Sequence, residues 1–427
     1  MKILFVVHQY LPRHRAGTEV YAHSLAKELA GRHRVLVYCH EPALDGGAVP
    51  AMEETYDGVP VRRVAAFLGR PPSPGRAFIW SYRNPRIAQD YRATLAAFQP
   101  DVVHVQHLKD LSMNILGETA RRGIPLVLTL HDYWALCPNA QCLRPDGRIC
   151  AGTHGRLECG LCAVERLGQP ALRPTAPALA PLFWVRQGAI RRGMRHVRRF
   201  IAPSAFLRAR YIAAGYPAEK IVQWENGLDL ARIRQALAEP RTSFRGHYAY
   251  IGSLAWQKGV HVLVEAFRRL GDTGAELKIW GNPDTFPAYT RQLQRLAAGC
   301  PRISFAGELD EMHIGEALAW ADYLVVPSLW WENSPVTIQE AYAAGVPVIA
   351  SNVGALAEKV RHERSGLLFA PGDVAHLERA LRRTWAEPAL WERLRAGLPP
   401  VVPMAEHAAL MEGLYLDMLR EGDHASA

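Results

Sequence analysis

The sequence predicts an α/β fold with two domains, each built on an open, mostly parallel sheet that helices cover on both faces. The 427 residues exceed what one ordinary core organises. Short apolar runs alternate with helix-like stretches in both halves of the chain. A segment around residues 201–245 separates the halves as a linker. Two such lobes leave a cleft between them, and ligands of these sheets bind where the strands end.

The N-terminal half supplies one sheet. A helix is expected from about Glu19 to Ala30, with its apolar residues at helical spacing. Five runs rich in apolar or β-branched residues predict strands, of which the third resembles an edge strand: 2–7, 33–39, 59–67, 101–108 and 123–134. The domain is expected to span residues 1–220, with an insertion at about 137–182.

The second half repeats the alternation, over residues 221–400. Residues 258–270 form an amphipathic helix pattern. The predicted strands are 247–254, 276–281, 302–309, 322–328 and 346–351. Residues 401–427 are expected to form a helix that packs back on the N-terminal domain and ends in a frayed tail.

Composition and charge narrow the class of partner. Hydrophobic residues make up 49% and charged residues 21%, as in ordinary globular proteins. The net charge of +9 is carried mainly by arginine, which favours phosphates or an anionic membrane face. No zinc-finger, RRM or KH signature supports nucleic acid as the partner. No signal peptide or membrane-spanning run is recognisable, so a cytoplasmic location is expected.

A basic stretch follows the insertion. Six arginines alternate with apolar residues between Phe183 and Phe200: Arg186, Arg191, Arg192, Arg195, Arg198 and Arg199. Such a helix either lies on an anionic membrane surface or packs one face on its own domain.

The stretch WENSPVTIQE carries two glutamates in different settings. Ser334 is a good N-cap and Pro335 suits the first helical position, so a helix is expected from Val336 to Ala344. Glu332 then precedes the helix and Glu340 lies within it. The free backbone amides from Asn333 onward form an anion site. Glu332 beside this site either has a functional role or compensates the helix dipole.

Three further candidate ligand-binding positions lie where a strand is followed by a loop. Gly252 permits close approach of a ligand, and Lys258 offers a compact charge to a diphosphate. The AGTE turn (16–19) opens the first helix, and His131 closes a strand. His8, His104 and His107 are interpreted as packing or loop residues. Neither a Walker A loop nor a G-x-G-x-x-G fingerprint occurs, which argues against P-loop NTPases and dehydrogenases.

Together these elements resemble the retaining glycosyltransferases of family 4 (GT4), whose GT-B fold sets two Rossmann-like domains facing across a cleft. The resemblance covers nearly the whole chain, and the Glu-x7-Glu element followed by G-x-P-V-I-A is its most specific part. The matching segments are AGTE, TLHDY (129–133), PSAF (203–206), ENGLD (225–229), GSLAWQKGV (252–260), ENSPVTIQE (332–340), AAGVPVIAS (343–351), NVGALAE (352–358) and SGLLFAPGD (365–373).

The resemblance implies roles for single residues. Glu340 holds the donor ribose, Glu332 lies by the donor sugar and its diphosphate, and Lys258 binds that diphosphate. His131 approaches the sugar from the other lobe, so Glu332, His131 and Lys258 form the implied catalytic set. The other implied donor-binding residues are Gly17, Gly252, Ser253, Asn333 and Ser334. Two departures stand out: Ser253 replaces a frequent arginine, and Ala16-Gly17 replaces a glycine pair.

The implied reaction transfers a sugar from a nucleotide sugar to an acceptor hydroxyl in surface polysaccharide or glycolipid synthesis. Cations and helix amides stabilise the leaving diphosphate without a metal, and no covalent intermediate is expected. The acceptor is a carbohydrate or a lipid-linked one at the inner membrane face. A nucleotide-sugar epimerase of the same fold and a catalytically silent sugar-binding subunit are the alternatives.

Five cysteines cluster at Cys137, Cys142, Cys150, Cys159 and Cys162. In a cytosolic setting, four thiolates favour a closed structural zinc site over disulfides, with free thiols as the alternative. The resemblance matches Cys137, Cys150, Cys159 and Cys162, which leaves Cys142 as the extra cysteine.

Overall fold

The computed structural model describes residues 1–152, 156–231, 233, 243–271, 273–310 and 313–424. The chain divides into two compact units. Unit 1 comprises Met1–Gly227 and Met404–Ala427, and unit 2 comprises Leu228–Pro403. Each unit is built on its own largely parallel sheet, so the predicted α/β class with two Rossmann-like domains is confirmed.

Unit 1 holds an eight-stranded sheet in the order β3-β4-β2-β1-β5-β6-β7-β8. Only the β3–β4 pair is antiparallel. The central strand β1 is almost wholly buried because its apolar run has both faces covered. The strands are β1 Lys2–Val7, β2 Arg34–His40, β3 Ala51–Tyr56, β4 Val59–Val64, β5 Val102–Val105, β6 Leu126–Thr129, β7 Arg199–Ala202 and β8 Ile221–Gln223.

Seven α-helices are found in the described part of unit 1 before its boundary with unit 2. They are α1 Gly17–Ala30, α2 Pro74–Trp80, α3 Pro85–Phe98, α4 Asn114–Ala120, α5 Leu157–Arg166, α6 Ala176–Met194 and α7 Ala205–Ala213. Helix α1 begins two residues before the predicted Glu19, because Ala16 is its N-cap.

Two sequence predictions for unit 1 were wrong. The run 59–67 is not an edge strand, because β4 pairs with β2 on one side and with β3 on the other. The stretch 201–245 is not a plain linker, since α7 and β8 follow β7 within it. Because β8 still pairs with β7, unit 1 extends to Gly227. Residues 232 and 234–242 lie outside the described residues.

Unit 2 holds a six-stranded, all-parallel sheet in the order β11-β10-β9-β12-β13-β14. Its strands are β9 His247–Ile251, β10 Glu276–Trp280, β11 Ile303–Gly307, β12 Tyr323–Val326, β13 Val348–Ser351 and β14 Gly366–Phe369. Its helices are α8 Val260–Arg268, α9 Pro287–Ala297, α10 Ile314–Trp320, α11 Val336–Ala343, α12 Ala355–Lys359, α13 Val374–Ala386 and α14 Pro388–Ala396. The strand order reverses between β9 and β12, which is where such sheets bind ligands.

The last helix, α15 (Met404–His424), returns to unit 1 and packs on α1. Its Met411, Tyr415 and Met418 are buried in the unit 1 core. The hydroxyl of Tyr21 lies 2.7 Å from Nε2 of His407, which ties the two helices together. Residues 425–427 of the predicted tail lie outside the described residues.

The insertion contains more helix than predicted, because α6 begins at Ala176 rather than near Phe183. The arginines of the basic stretch have different roles. Arg186 is buried and donates to the Trp134 carbonyl, whereas Arg198 donates to the Met418 carbonyl in α15. Arg191, Arg192 and Arg195 stay exposed. None of the described helices combines the length and apolar character that a membrane span requires.

Candidate active site

The loops after β9 and β12 meet at the switch point of the unit 2 sheet. The backbone N–H of Leu329, after β12, donates to the Gln257 carbonyl, after β9, over 2.8 Å. These loops carry Lys258 and Glu332, two of the predicted catalytic residues. The topology therefore brings together side chains that are 74 residues apart in sequence.

Lys258 and Glu332 form an ion pair. Nζ of Lys258 donates to Oε1 of Glu332 over 2.7 Å and lies 5.5 Å from the centre of the Trp330 ring. Lys258 ends a single 3-10 turn, Trp256–Lys258, and Gly259 follows it with φ +70°. A Cβ at Gly259 would lie 1.9 Å from the Pro327 carbonyl oxygen, so only glycine permits this close approach of the two loops.

The Glu332 carboxylate is held by further donors. Ser328 Oγ donates to Oε1 over 2.7 Å and Trp330 Nε1 donates to the same oxygen over 3.0 Å. Glu332 is only 7% exposed. Charge-assisted bonds of this kind fix a carboxylate in one orientation. The site therefore presents a fixed negative charge directly beside a cation.

The helix that follows, α11, begins at Val336, as predicted, and ends at Ala343, one residue before the predicted end. Pro335 rather than Ser334 is the N-cap, and no side chain caps the helix. The Ser334 hydroxyl is buried and has no hydrogen-bond partner among the described residues. Glu332 precedes the helix and the buried Glu340 lies inside it, as predicted. Asn333 lies in the same turn before α11.

The loop after β9 is fixed by its own strand. The hydroxyl of Tyr250 donates to the Ser253 carbonyl over 2.8 Å, directly after Gly252. Burial and the nearby Glu332 carboxylate raise the pKa of Tyr250. Tyr250 therefore stays protonated and can act as the donor that shapes this loop.

In unit 1 the equivalent switch point lies between β1 and β5. Gly17 is the first residue of α1, at this edge of the sheet, and Glu19 lies in the first turn. Nε2 of His8, after β1, lies 3.1 Å from Oε1 of Glu19. Nδ1 of His8 and Oε2 of Glu19 are buried without a partner among the described residues. Both atoms suit the hydroxyl groups of a polar ligand as acceptors.

His131 follows β6 and pairs with a side chain that follows β5. Its Nε2 lies 2.7 Å from the amide oxygen of Gln106, so Nε2 carries the proton and donates. Burial, aided by the neighbouring His107, lowers the pKa of His131 to about 3. His131 is therefore neutral throughout the physiological pH range.

The orientation of the Asp132 carboxylate is fixed by His107. Nε2 of His107 donates to Asp132 Oδ2 over 2.9 Å, because Nδ1 of His107 accepts the Lys109 backbone N–H. The Trp134 backbone N–H donates to Oδ1 over 2.7 Å. Burial alone raises the pKa of Asp132, but His107 and this backbone bond outweigh burial and lower it overall.

Sequence reasoning missed this part of the site. His8 and His107 lie in loops, as predicted, but the sequence did not indicate that their rings lie 4.5 Å apart, next to Glu19 and Asp132. The available signal was position, since both follow the strands that flank the switch point. His104 is a packing residue, as predicted, because its ring nitrogens contact Tyr415 and Thr129 inside the core.

Four of the five clustered cysteines line one cavity of about 240 Å³ in the insertion: Cys137, Cys150, Cys159 and Cys162. Cys142 is buried and does not line that cavity, but its thiol bonds to the Cys137 thiol. Within the described ranges, no three His, Cys, Asp or Glu side chains are grouped closely enough to hold a metal ion.

Comparison with known proteins places the chain in a family. The model of "Glycosyltransferase Family 4" matches residues 15–232, and that of "Glycosyl transferases group 1" matches residues 245–387. A glycogen synthase from Mycobacterium tuberculosis is 28% identical over 412 residues, covering 92% of this chain and 88% of that protein. A GDP-mannose-dependent phosphatidylinositol monomannoside mannosyltransferase from the same species is 32% identical over 186 residues, covering 39% of this chain and 46% of that protein.

Solved structures share the fold over nearly the whole length. Sucrose-phosphate synthase from Thermosynechococcus elongatus has a TM-score of 0.70 at 20% identity, covering 98% of this chain and 99% of that one. Anabaena HepE, solved with UDP and glucose, has a TM-score of 0.64 at 19% identity, covering 97% and 99%. Because the family model spans more than half of the sequence, this chain is a glycosyltransferase of family 4.

Proposed function

We propose that the chain transfers a hexose from a nucleotide sugar to an acceptor hydroxyl with retention of configuration. The observation that carries this proposal is the Lys258–Glu332 pair at the switch point of the unit 2 sheet. A lysine and a helix N-terminus suit a diphosphate, whereas a carboxylate suits the positive charge of the sugar. A donor that joins diphosphate to sugar needs both kinds of group in one place.

In the proposed reaction, the bond between the anomeric carbon and the diphosphate oxygen breaks. Lys258 and the first amides of α11 stabilise the negative charge on the departing diphosphate. Glu332 stabilises the oxocarbenium-like sugar, and Glu340 holds the ribose. The acceptor hydroxyl attacks on the face that the diphosphate leaves, and its proton passes to the diphosphate. This scheme uses charges of the protein alone and needs no metal in the chemical step.

The donor is tested by measuring binding of UDP-, GDP- and ADP-sugars to the full chain by calorimetry. One of these donors should bind, and Lys258→Met should weaken its binding about 10- to 100-fold, because a charge-assisted bond to phosphate is lost. Lys278→Met is the matched control, since Lys278 lies over the Trp320 ring in the same unit. Equal losses in both variants would argue against Lys258 as a donor ligand.

The dependence of nucleotide release on an added acceptor distinguishes a transferase from an epimerase and from a silent subunit. A transferase releases nucleotide in step with added acceptor, whereas an epimerase converts the donor without one and a silent subunit does neither. We expect release to depend on a lipid-linked or oligosaccharide acceptor fraction. Release that ignores every acceptor fraction would contradict the proposal.

We further propose that the acceptor is reached at an anionic membrane surface, in glycolipid or surface polysaccharide synthesis. Seven apolar side chains of the insertion and of α6 are exposed, among which Leu167 is 68% and Trp184 is 65% exposed. We call this set the insertion face: Leu157, Leu161, Leu167, Leu172, Leu182, Trp184 and Val185. The exposed Arg191 and Arg192 lie in the last turn of α6, and the exposed Arg195 is its C-cap. Apolar side chains beside arginines match the acyl boundary and the anionic head groups of a bilayer.

Vesicle co-sedimentation tests this surface. The protein should bind phosphatidylglycerol vesicles more tightly than phosphatidylcholine vesicles, and less tightly at high salt. Replacing Leu182 and Trp184 with serine should weaken binding about tenfold or more, because two apolar side chains that would enter the bilayer are lost. Replacing the exposed Leu410 and Leu416 of α15 with serine is the control. If both double variants bind like the wild type, the insertion face does not contact lipid.

A further inference from the structure

We propose that Cys137, Cys150, Cys159 and Cys162 bind one structural zinc ion, which braces the loop carrying His131. The inference does not depend on the proposed reaction, because it concerns metal content and the stability of unit 1. Zinc in closed sites is bound tetrahedrally by four thiolates. The insertion supplies four thiols from two separate pieces of backbone.

The first pair of thiols flanks a short hairpin. Leu143 and Ile149 form an antiparallel bridge. The Cys150 backbone N–H donates to the Cys142 carbonyl over 2.7 Å, which holds the closing strand of this hairpin against the opening one. Cys137 lies just before the hairpin and Cys150 ends it.

The second pair lies on α5, where Cys159 and Cys162 are three residues apart in the first two turns. Side chains three apart project from the same face of a helix. The hairpin and the start of α5 each supply two thiols. Together these four thiols can surround one ion. Arg144 of the hairpin also pairs with Glu158 of α5, so the two pieces already contact each other.

All four thiols line the same cavity of about 240 Å³, together with Arg144, Arg156 and Arg166. Zinc with four thiolates carries a net charge of −2, which these arginines offset. Arg156 Nη1 lies 3.9 Å from the Cys159 sulfur, and Arg166 bonds to the Cys162 thiol. Hydrogen bonds from nearby groups to ligand atoms are a regular feature of metal sites.

Binding requires the thiols to turn towards one point, because no three metal-binding side chains of the described residues are grouped for it. The cysteines are only partly buried, so each can change between staggered rotamers. The Cys137 thiol now donates to Asn139 Oδ1 over 2.6 Å, and this bond is exchanged for a zinc bond of about 2.3 Å.

The fifth cysteine, Cys142, is 1% exposed, does not line the cavity, and its backbone has φ +49°. Its thiol bonds to the Cys137 thiol, so Cys142 contacts one of the four proposed ligands. Cys300 of unit 2 is partly buried, as the four proposed ligands are, and lies outside the insertion. Cys300 is therefore the matched control for any cysteine substitution.

The consequence for the active site follows from the backbone. The Cys137 N–H donates to the Tyr133 carbonyl over 2.7 Å, so Cys137 is one turn away from Tyr133, which directly follows His131 and Asp132. Arg186 and Gln187 of α6 donate to the Trp134 and Ala135 carbonyls in the same loop. Zinc at Cys137 would tie α5 to this loop and hold His131 at the end of β6.

Metal content tests the proposal directly. The full chain, purified without chelator from zinc-supplemented cells, should contain about one zinc per chain by mass spectrometry. Cys162→Ser and Cys159→Ser should each lose most of it, whereas Cys300→Ser should keep it. A wild-type content below about half an equivalent, or equal losses in Cys300→Ser and Cys162→Ser, would overturn the proposal.

A second measurement uses the wild-type protein, so it tests the proposal even if the cysteine variants fail to fold. Wild-type protein reconstituted with cobalt(II) should show the intense visible absorption of a tetrahedral thiolate complex, which free thiols and disulfides lack. Titration with a mercurial should release zinc in step with four thiols. Alkylation under non-reducing conditions that instead finds these cysteines paired as disulfides would contradict zinc. Zinc removal should also lower the melting temperature of the wild type.

Discussion

Substituting Glu332 with glutamine is expected to lower the rate of sugar transfer about 100- to 1,000-fold. The neutral amide keeps the shape of the side chain but removes the negative charge beside the reacting sugar. It also removes the ion pair with Lys258, which lies 2.7 Å from the carboxylate oxygen. The measurement is kcat/KM with the donor found by calorimetry, with donor affinity determined separately.

The control for this substitution is Glu276→Gln. Glu276 is the exposed first residue of β10, so it lies at the opposite end of the unit 2 sheet from the strand-end loops. This variant should transfer sugar at the wild-type rate. Full transfer activity in Glu332→Gln would show that the assigned role is wrong. A loss confined to folding would appear in thermal unfolding and would not count as support.

Replacing Gly259 with alanine is expected to destabilise unit 2 by roughly 2–4 kcal/mol. Its φ of +70° disfavours any side chain, and the new Cβ would lie 1.9 Å from the Pro327 carbonyl oxygen. The loops after β9 and β12 would have to separate, which also displaces Lys258 from Glu332. Urea unfolding of both proteins measures the loss.

Gly271 provides the comparison that isolates the clash. It has nearly the same backbone, with φ +68°, but a Cβ there meets nothing within 4 Å. Gly271→Ala should therefore cost only about 1 kcal/mol, the strain of the positive φ alone. Similar losses for the two variants would mean that the contact with Pro327 does not hold these loops together.

Most of the parallel strands were predicted from sequence because their apolar runs are recognisable. β3, β7, β8 and β14 were not recognised as strands. β3 alternates exposed and half-buried residues at the sheet edge, so it lacks an apolar run. The helical start of α6 was also missed, because prolines and alanines in that segment resemble a loop. Pro181 lies inside this helix.

The candidate site was predicted in part, and for a physical reason. Lys258 and Glu332 lie beside helix starts, which have clear signals in Gly259 and Pro335. Their contact depends on the strand order β9–β12, which local patterns do not encode. The contact between His8 and Glu19 likewise depends on tertiary structure, because α1 packs back on β1. The role of His131 at the donor sugar stays a prediction that rests on the resemblance.

Retention of configuration is tested by NMR spectroscopy of the anomeric carbon. The donor and the isolated product are compared after a single turnover with the full chain and its acceptor. An α-linked donor should give an α-linked product, because the leaving group and the acceptor use the same face of the sugar. A β-linked product would contradict retaining transfer.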